Sequence, residues 1–130
     1  MKFAYTIVYV TDVASSLAFY EKAFGFVRRF LTPEGDYGEL DTGHTTLSFA
    51  SKALALSHHP EGYRFADEGA LPLGVEIALS TDDVAAAHQA ALAEGASELA
   101  APQVKPWGQT VSFVRCPDGT LLELCSPVSP

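Results

Sequence analysis

The chain states its opening twice. Thr11-Asp12 and Gly25 recur as Thr81-Asp82 and Gly95, an offset of 70 residues. Each pair encloses a helical pattern. In the first copy Asp12 stands at an N-cap, Val13, Leu17, Tyr20 and Phe24 follow at helical spacing, and Gly25 is the stop. In the second, Thr81-Asp82-Asp83 caps an alanine-rich helix from Val84 to Glu94, and Gly95 ends it. A strand precedes each helix: Tyr5 to Val10, β-branched and aromatic, and Val75 to Leu79. After the first helix, Phe26–Leu31 and Tyr37–Asp41 read as strands around a turn at Pro33 to Asp36, and Gly43 turns the chain into Thr45–Ala50. Each copy therefore reads β-α-β-β-β. One copy of roughly 60 residues leaves a sheet face uncovered, so the two copies are expected to pack together.

The second copy closes on a hairpin. Val111 and Phe113 alternate along one strand, Pro117-Asp118-Gly119 supplies the turn, and Leu122 and Leu124 alternate with Leu121, Glu123 and Cys125 on the return. Period-two geometry sends Glu123 to the face opposite Leu122 and Leu124, where it meets solvent or lines a cavity. Aligned backwards from Ser51 and Ser126, Ser48 in the first copy answers Glu123. A turn at Asp118-Gly119 pairs Cys125 with residues near Val111 rather than with Cys116. The only two cysteines are thus expected reduced and partly buried.

Between the copies, Ser51 to Pro72 reads as a long loop, either a lid over a site or a linker. Its adjacent His58 and His59 are metal-ligand types, but neighbouring side chains in a loop point apart, so exposed histidines are the plainer reading.

Charge narrows the partners. Asp and Glu number 16 against 8 Lys and Arg, a formal net charge of -8, which repels nucleic acid and anionic membranes alike. With 48% hydrophobic and 18% charged residues, 130 residues can bury a core without metal or disulfides. The first residues enter a strand pattern at once, with no signal-peptide pattern, and the expected location is the cytoplasm.

Val10-Thr11-Asp12-Val13 with Phe19-Tyr20-Glu21-Lys22-Ala23-Phe24-Gly25-Phe26, and Lys105-Pro106-Trp107-Gly108-Gln109 with Cys116-Pro117-Asp118-Gly119-Thr120-Leu121-Leu122-Glu123, resemble the vicinal oxygen chelate superfamily of glyoxalase I, bleomycin-resistance proteins and extradiol dioxygenases. The resemblance covers nearly the whole chain. It implies an α+β fold: two βαβββ modules in tandem forming a cupped mixed β-sheet, a single glyoxalase-like domain over 1–130, with module 1 at about 3–51, a connecting loop at about 52–72 and module 2 at about 73–127. In the family's enzymes a divalent metal is held by side chains from the first and last strands of each copy, here Tyr5, Ser48, Glu76 and Glu123. Tyr5 stands where His, Gln or Glu is usual, and Ser48 where Glu is. Two carboxylates and water hold Mg²⁺ weakly, so no tight metal and no other cofactor are expected. Turnover of the methylglyoxal-glutathione hemithioacetal is not expected either. Tyr9 matches the position of a basic group that glyoxalase I uses for glutathione.

A pocket remains expected, lined by Tyr5, Ile7, Tyr9, Thr46, Ser48, Ser112, Val114, Leu121 and Glu123, with Trp107 at its rim. The alternative is a collapsed interior in which the Tyr5 and Tyr9 hydroxyls satisfy Glu76 and Glu123. If Glu76 and Glu123 share a cavity they repel; one then holds its proton above the usual carboxylate range and can act as a general base. Three functions follow: a metal-independent binder of an aromatic or cationic small molecule, a metal-dependent lyase, isomerase or epimerase using Glu76 and Glu123, or a vestigial pocket with a role in association. A C₂ homodimer is the expected assembly.

Overall fold

The computed structural model describes residues 1–128. The chain divides into two compact units, Met1–Glu68 and Gly69–Pro130. Each is one copy of the repeat.

The first unit runs β1 (Tyr5–Val10), α1 (Val13–Phe24), β2 (Val27–Leu31), β3 (Tyr37–Asp41), β4 (Thr46–Ser51) and α2 (Lys52–His58). Its sheet has the order β1-β4-β3-β2, with β1 and β4 parallel and the other pairs antiparallel. The Asp12 side chain accepts from the Ser15 amide, and Gly25 closes α1 at φ 74, the left-handed cap for which glycine carries no Cβ penalty. Leu17 and Tyr20 of α1 are buried against Leu40 and Phe49 of the sheet, and the Tyr20 and Phe49 rings stand 5.3 Å apart. α1 packs tightly over Gly38, where an added Cβ would sit 2.6 Å from Leu17 Cδ1 and 3.2 Å from the Phe30 carbonyl oxygen.

The second unit runs β5 (Glu76–Ser80), α3 (Val84–Ala93), β6 (Ser97–Val104), β7 (Thr110–Arg115) and β8 (Leu121–Cys125), in the order β5-β8-β7-β6 with β5 and β8 parallel. Asp83 is the N-cap of α3, accepting from the Ala86 amide. Val84, His88 and Ala91 form its buried stripe over Val114, Leu122 and Leu124. Cys125 lies opposite Val111 as the hairpin register requires, and both cysteines are buried and free.

Two expectations change. Ser51–Pro72 is not structureless: its first part is α2, capped by Ser51, whose hydroxyl accepts from the Leu54 amide. The part up to Glu68 is tied to the first unit. Lys52 Nζ lies 2.8 Å from Asp67, Thr11 donates to Asp67 at 3.2 Å, and the Tyr63 hydroxyl donates to the Ala55 carbonyl at 2.9 Å. Val75, expected to begin a strand under the helix, instead precedes β5 and is exposed. Just before it the chain is tied to the second unit, where Arg115 donates to the carbonyls of Gly69 (2.9 Å) and Ala70 (3.0 Å).

The Gly38 contact sets a test of the α1 packing. Gly38→Ala is expected to destabilise the protein by about 1–3 kcal/mol through overpacking, read as a lower denaturation midpoint in urea. An unchanged midpoint would mean that α1 does not sit at this depth.

Candidate functional site

Parallel pairing aligns the residues that matter in each unit. In the first, Tyr5 lies opposite Thr46, Ile7 opposite Ser48 and Tyr9 opposite Ala50, so these side chains share the sheet face away from α1. Thr46 and Ser48 are buried, while Tyr5 and Ile7 are 53% and 43% exposed. Tyr9 packs its ring edge-on to Tyr63 at 5.0 Å, and His59 meets the same ring at 5.5 Å. His59 is thus the C-cap of α2 and an aromatic neighbour, with His58 in the last helical turn.

The same face holds a polar group that the sequence did not announce. Glu39 is buried, accepts from the Tyr37 hydroxyl at 2.7 Å, and lies 3.2 Å from Arg29 Nη1. Arg29 Nη1 also donates to Thr46 at 3.1 Å. Desolvation pushes the Tyr37 phenol up; a hydrogen bond from Ser48 opposes the rise, and the Glu39 acceptor and charge add to it. The tyrosine hydroxyl that satisfies a carboxylate in this unit is therefore that of Tyr37. The Ser48 hydroxyl lies 3.5 Å from the Thr6 carbonyl.

In the second unit, Glu76 lies opposite Leu121 and Ala78 opposite Glu123, so the two carboxylates are diagonal neighbours on the face away from α3. Although Glu76 occupies an exposed edge position, partial desolvation, and then the charge of Glu123, raise its pKa. Cys125 is two residues further along this face. Burial first, and the charge of Glu123 next, push its thiol up, so it stays protonated and weakly nucleophilic.

Ser112 and Val114 are not on that face. The antiparallel register sets Ser112 against Leu124 and Val114 against Leu122, which turns both toward α3. There the buried Ser112 hydroxyl meets His88 Nδ1 at 2.9 Å, and His88 Nε2 meets Glu98 at 2.8 Å. An ionised carboxylate only accepts, so the His88 Nε2–H donates to Glu98, and the Ser112 hydroxyl is the partner of Nδ1. Spacing alone makes this resemble a Ser-His-Glu triad, but Ser112 and His88 are both 0% exposed, which bars substrate. Trp107 stands in the turn between β6 and β7, exposed, its indole N–H donating to the Gln109 side chain at 2.9 Å.

For the metal-ligand positions that the resemblance implies, the first unit offers a phenol (Tyr5) and a buried hydroxyl (Ser48), and the second two carboxylates, Glu76 and Glu123. Among the described residues no three His, Cys, Asp or Glu side chains gather as a metal-holding group. Glu39, Arg29, Tyr37 and His88 went unrecognised in the sequence. His88 had a readable signal, since it follows Val84 by four residues and precedes Ala91 by three on the buried stripe.

The buried Ser112–His88 pair gives a prediction. His88→Leu should cost about 1–3 kcal/mol by orphaning the Ser112 hydroxyl, and adding Ser112→Ala should return most of that loss. A double variant no more stable than His88→Leu in chemical denaturation would mean that the pair is not coupled.

Comparison with known proteins agrees with this architecture. A glyoxalase-related enzyme from Fulvimarina pelagi superposes with a TM-score of 0.82 at 18% identity, covering 98% of this chain and 88% of that one. A glyoxalase/bleomycin resistance protein/dioxygenase family enzyme from Burkholderia phytofirmans PsJN gives 0.78 at 20% identity, over 99% and 100% of the two chains. TioX from Micromonospora sp. ML1 gives 0.70 at 22%, over 97% and 98%. No curated protein sequence matches the chain significantly. At such identities these likenesses establish the fold alone. The family model for the Glyoxalase/Bleomycin resistance protein/Dioxygenase superfamily matches residues 2–124, and with βαβββ order in each half the chain belongs to that superfamily.

Proposed function

We propose that this chain is a metal-independent small-molecule binder of the bleomycin-resistance type, taking an aromatic compound on the face of the first unit that presents Tyr5 and Ile7. The observation that carries the reading is their exposure directly beside the buried polar groups Thr46 and Ser48. Apolar area with a few fixed polar groups is the usual composition of a ligand site. A phenol and a serine hydroxyl are poor partners for Zn²⁺, Ni²⁺ or Fe²⁺, which is why the reading excludes a complete family metal site. The C₂ homodimer belongs to the same proposal, as does a non-membrane setting: no helix of the described residues is long and apolar enough to cross a bilayer.

A thermal-shift screen of aromatic amines and neutral aromatics tests it. A binder present at 100 times its dissociation constant adds about 2.7 kcal/mol to stability. Tyr5→Ala should weaken the best hit about three- to tenfold, as loss of an aromatic contact does. No stabilisation by any aromatic compound would defeat the reading.

One observation favours a second reading, a lyase or isomerase with a carboxylate base: the raised pKa of Glu76 beside Glu123. A raised carboxylate pKa means that the native state binds more protons than the unfolded chain. Stability then falls as pH climbs from the unfolded value, about 4.3, through the native one. Glu76→Gln should flatten this decline, seen by comparing denaturation midpoints at about pH 5 and about pH 8. Parallel curves for wild type and variant would leave no tuned base to assign.

A further inference from the structure

The first unit contains a device that strand alternation alone would not produce. Along β2, Arg28 is opposite Leu40 but Phe30 is opposite Glu39, so Arg29 is an extra residue in the ladder. Arg28 goes to the helix side, where it holds Glu21 of α1 at 2.6 Å. Arg29 and Phe30 both go to the other side: Arg29 reaches Glu39 and Thr46, and the Phe30 ring lies 5.9 Å from Tyr37. A bulge that re-aims a side chain in this way is a common means of furnishing a site. Here it adds a cation to an aromatic face.

The cation is braced on one edge and open on the other. Nη1 is engaged by buried Glu39 and by Thr46, so the guanidinium extends from β2 across β3 to β4, and Thr46 is the register partner of Tyr5. Nη2 has Asp41 Oδ1 at 3.6 Å, outside hydrogen-bond range, and the Asp41 side chain is 64% exposed. The same Oδ1 accepts from the Gly43 amide at 3.4 Å, a long bond, and an exposed aspartate held this way is displaced by a carboxylate that brings its own apolar body. Glu39 takes no part in that exchange, because its two oxygens already face Arg29 and Tyr37. A planar guanidinium with one edge fixed matches a carboxylate better than a mobile ammonium does.

We infer that Arg29, with Tyr5, Phe30 and Tyr37 around it, forms an acid-recognition corner for an aromatic ligand bearing a carboxylate, which replaces Asp41 at Nη2. The inference rests on the small-molecule reading of this unit and names the ligand class. Glu39 and Thr46 act as positioning residues: they hold the fork toward the ligand without touching it.

Isothermal titration of the full chain with phenylacetate, benzyl alcohol and benzylamine tests the corner. Phenylacetate should bind at least about tenfold more tightly than benzyl alcohol, the difference a charged pair confers. Arg29→Lys keeps the charge but loses the fork, and should remove most of that preference, read as the ratio of the phenylacetate and benzyl alcohol affinities in the one variant. Asp41→Asn removes the competitor and should tighten phenylacetate alone; because it touches no buried group, it keeps the test open if Arg29 variants fold poorly. Phenylacetate no tighter than benzyl alcohol, or an Asp41→Asn protein with unchanged phenylacetate affinity, overturns the corner. If benzyl alcohol or benzylamine binds and phenylacetate does not, the corner falls and the small-molecule reading stands. Failure of all three to bind removes the corner, and the small-molecule reading then stands or falls with the thermal-shift screen.

Discussion

Everything at the candidate site hangs on parallel pairing of the first and last strands of each repeat. A parallel neighbour cannot be reached by a tight turn, so the chain must cross over, and in each unit the helix is carried on that crossover and covers one sheet face. Once β1 lies beside β4 with Tyr5 opposite Thr46, every alternate residue of both strands is committed to the helix or away from it. The same holds for β5 and β8, where Glu76 opposite Leu121 fixes Glu123 two residues along on the same side. A slip of β1 by one residue would bury Tyr5 and Ile7 under α1 and send Val8 and Val10 to the open face. The apolar content of one face thus guards the chemistry of the other.

The two units use this scaffold differently. The first faces away from its helix with phenols, an isoleucine and a charge-balanced group around Glu39. The second presents two carboxylates and a protonated thiol, and places its one fully buried imidazole beneath the helix instead. His88 stands between Val84 and Ala91 on the buried stripe, where both ring nitrogens need partners and find them in Ser112 and Glu98. Repeats equal in topology have diverged in the side chains on both faces.

The sequence announced what depends on local chemistry: the Asp12 cap, the Gly25 stop, the alternation of β1, the turn at Asp118-Gly119 and the repeat itself. It concealed what depends on which strand lies beside which. Ser112 looked like a pocket residue until its pairing with Leu124 sent it to the helix. Arg29 is on the open face only because a ladder irregularity interrupts period two, and no residue of β2 marks that bulge in advance. Glu39 alternates correctly with Tyr37, but its burial is set by an arginine ten residues earlier. The short α2 was hidden because seven residues carry barely two turns of periodicity, too few to stand out.

The anchors at the junction of the repeats have a practical consequence. Asp67 is held by Lys52 and Thr11 on one side, and Gly69 and Ala70 by Arg115 on the other. One exposed residue, Glu68, is left between two clamped ends, its amide held only by a turn bond to the Phe65 carbonyl at 3.2 Å. Foreign sequence placed there would not pull on a strand or a cap, since each repeat is tied off before the insertion begins. Lengthening a flexible loop costs only about 0.6 kcal/mol per doubling. Glu68 is thus the place to graft a reporter or a second domain, with the clamps on either side keeping the strain of the graft out of both sheets.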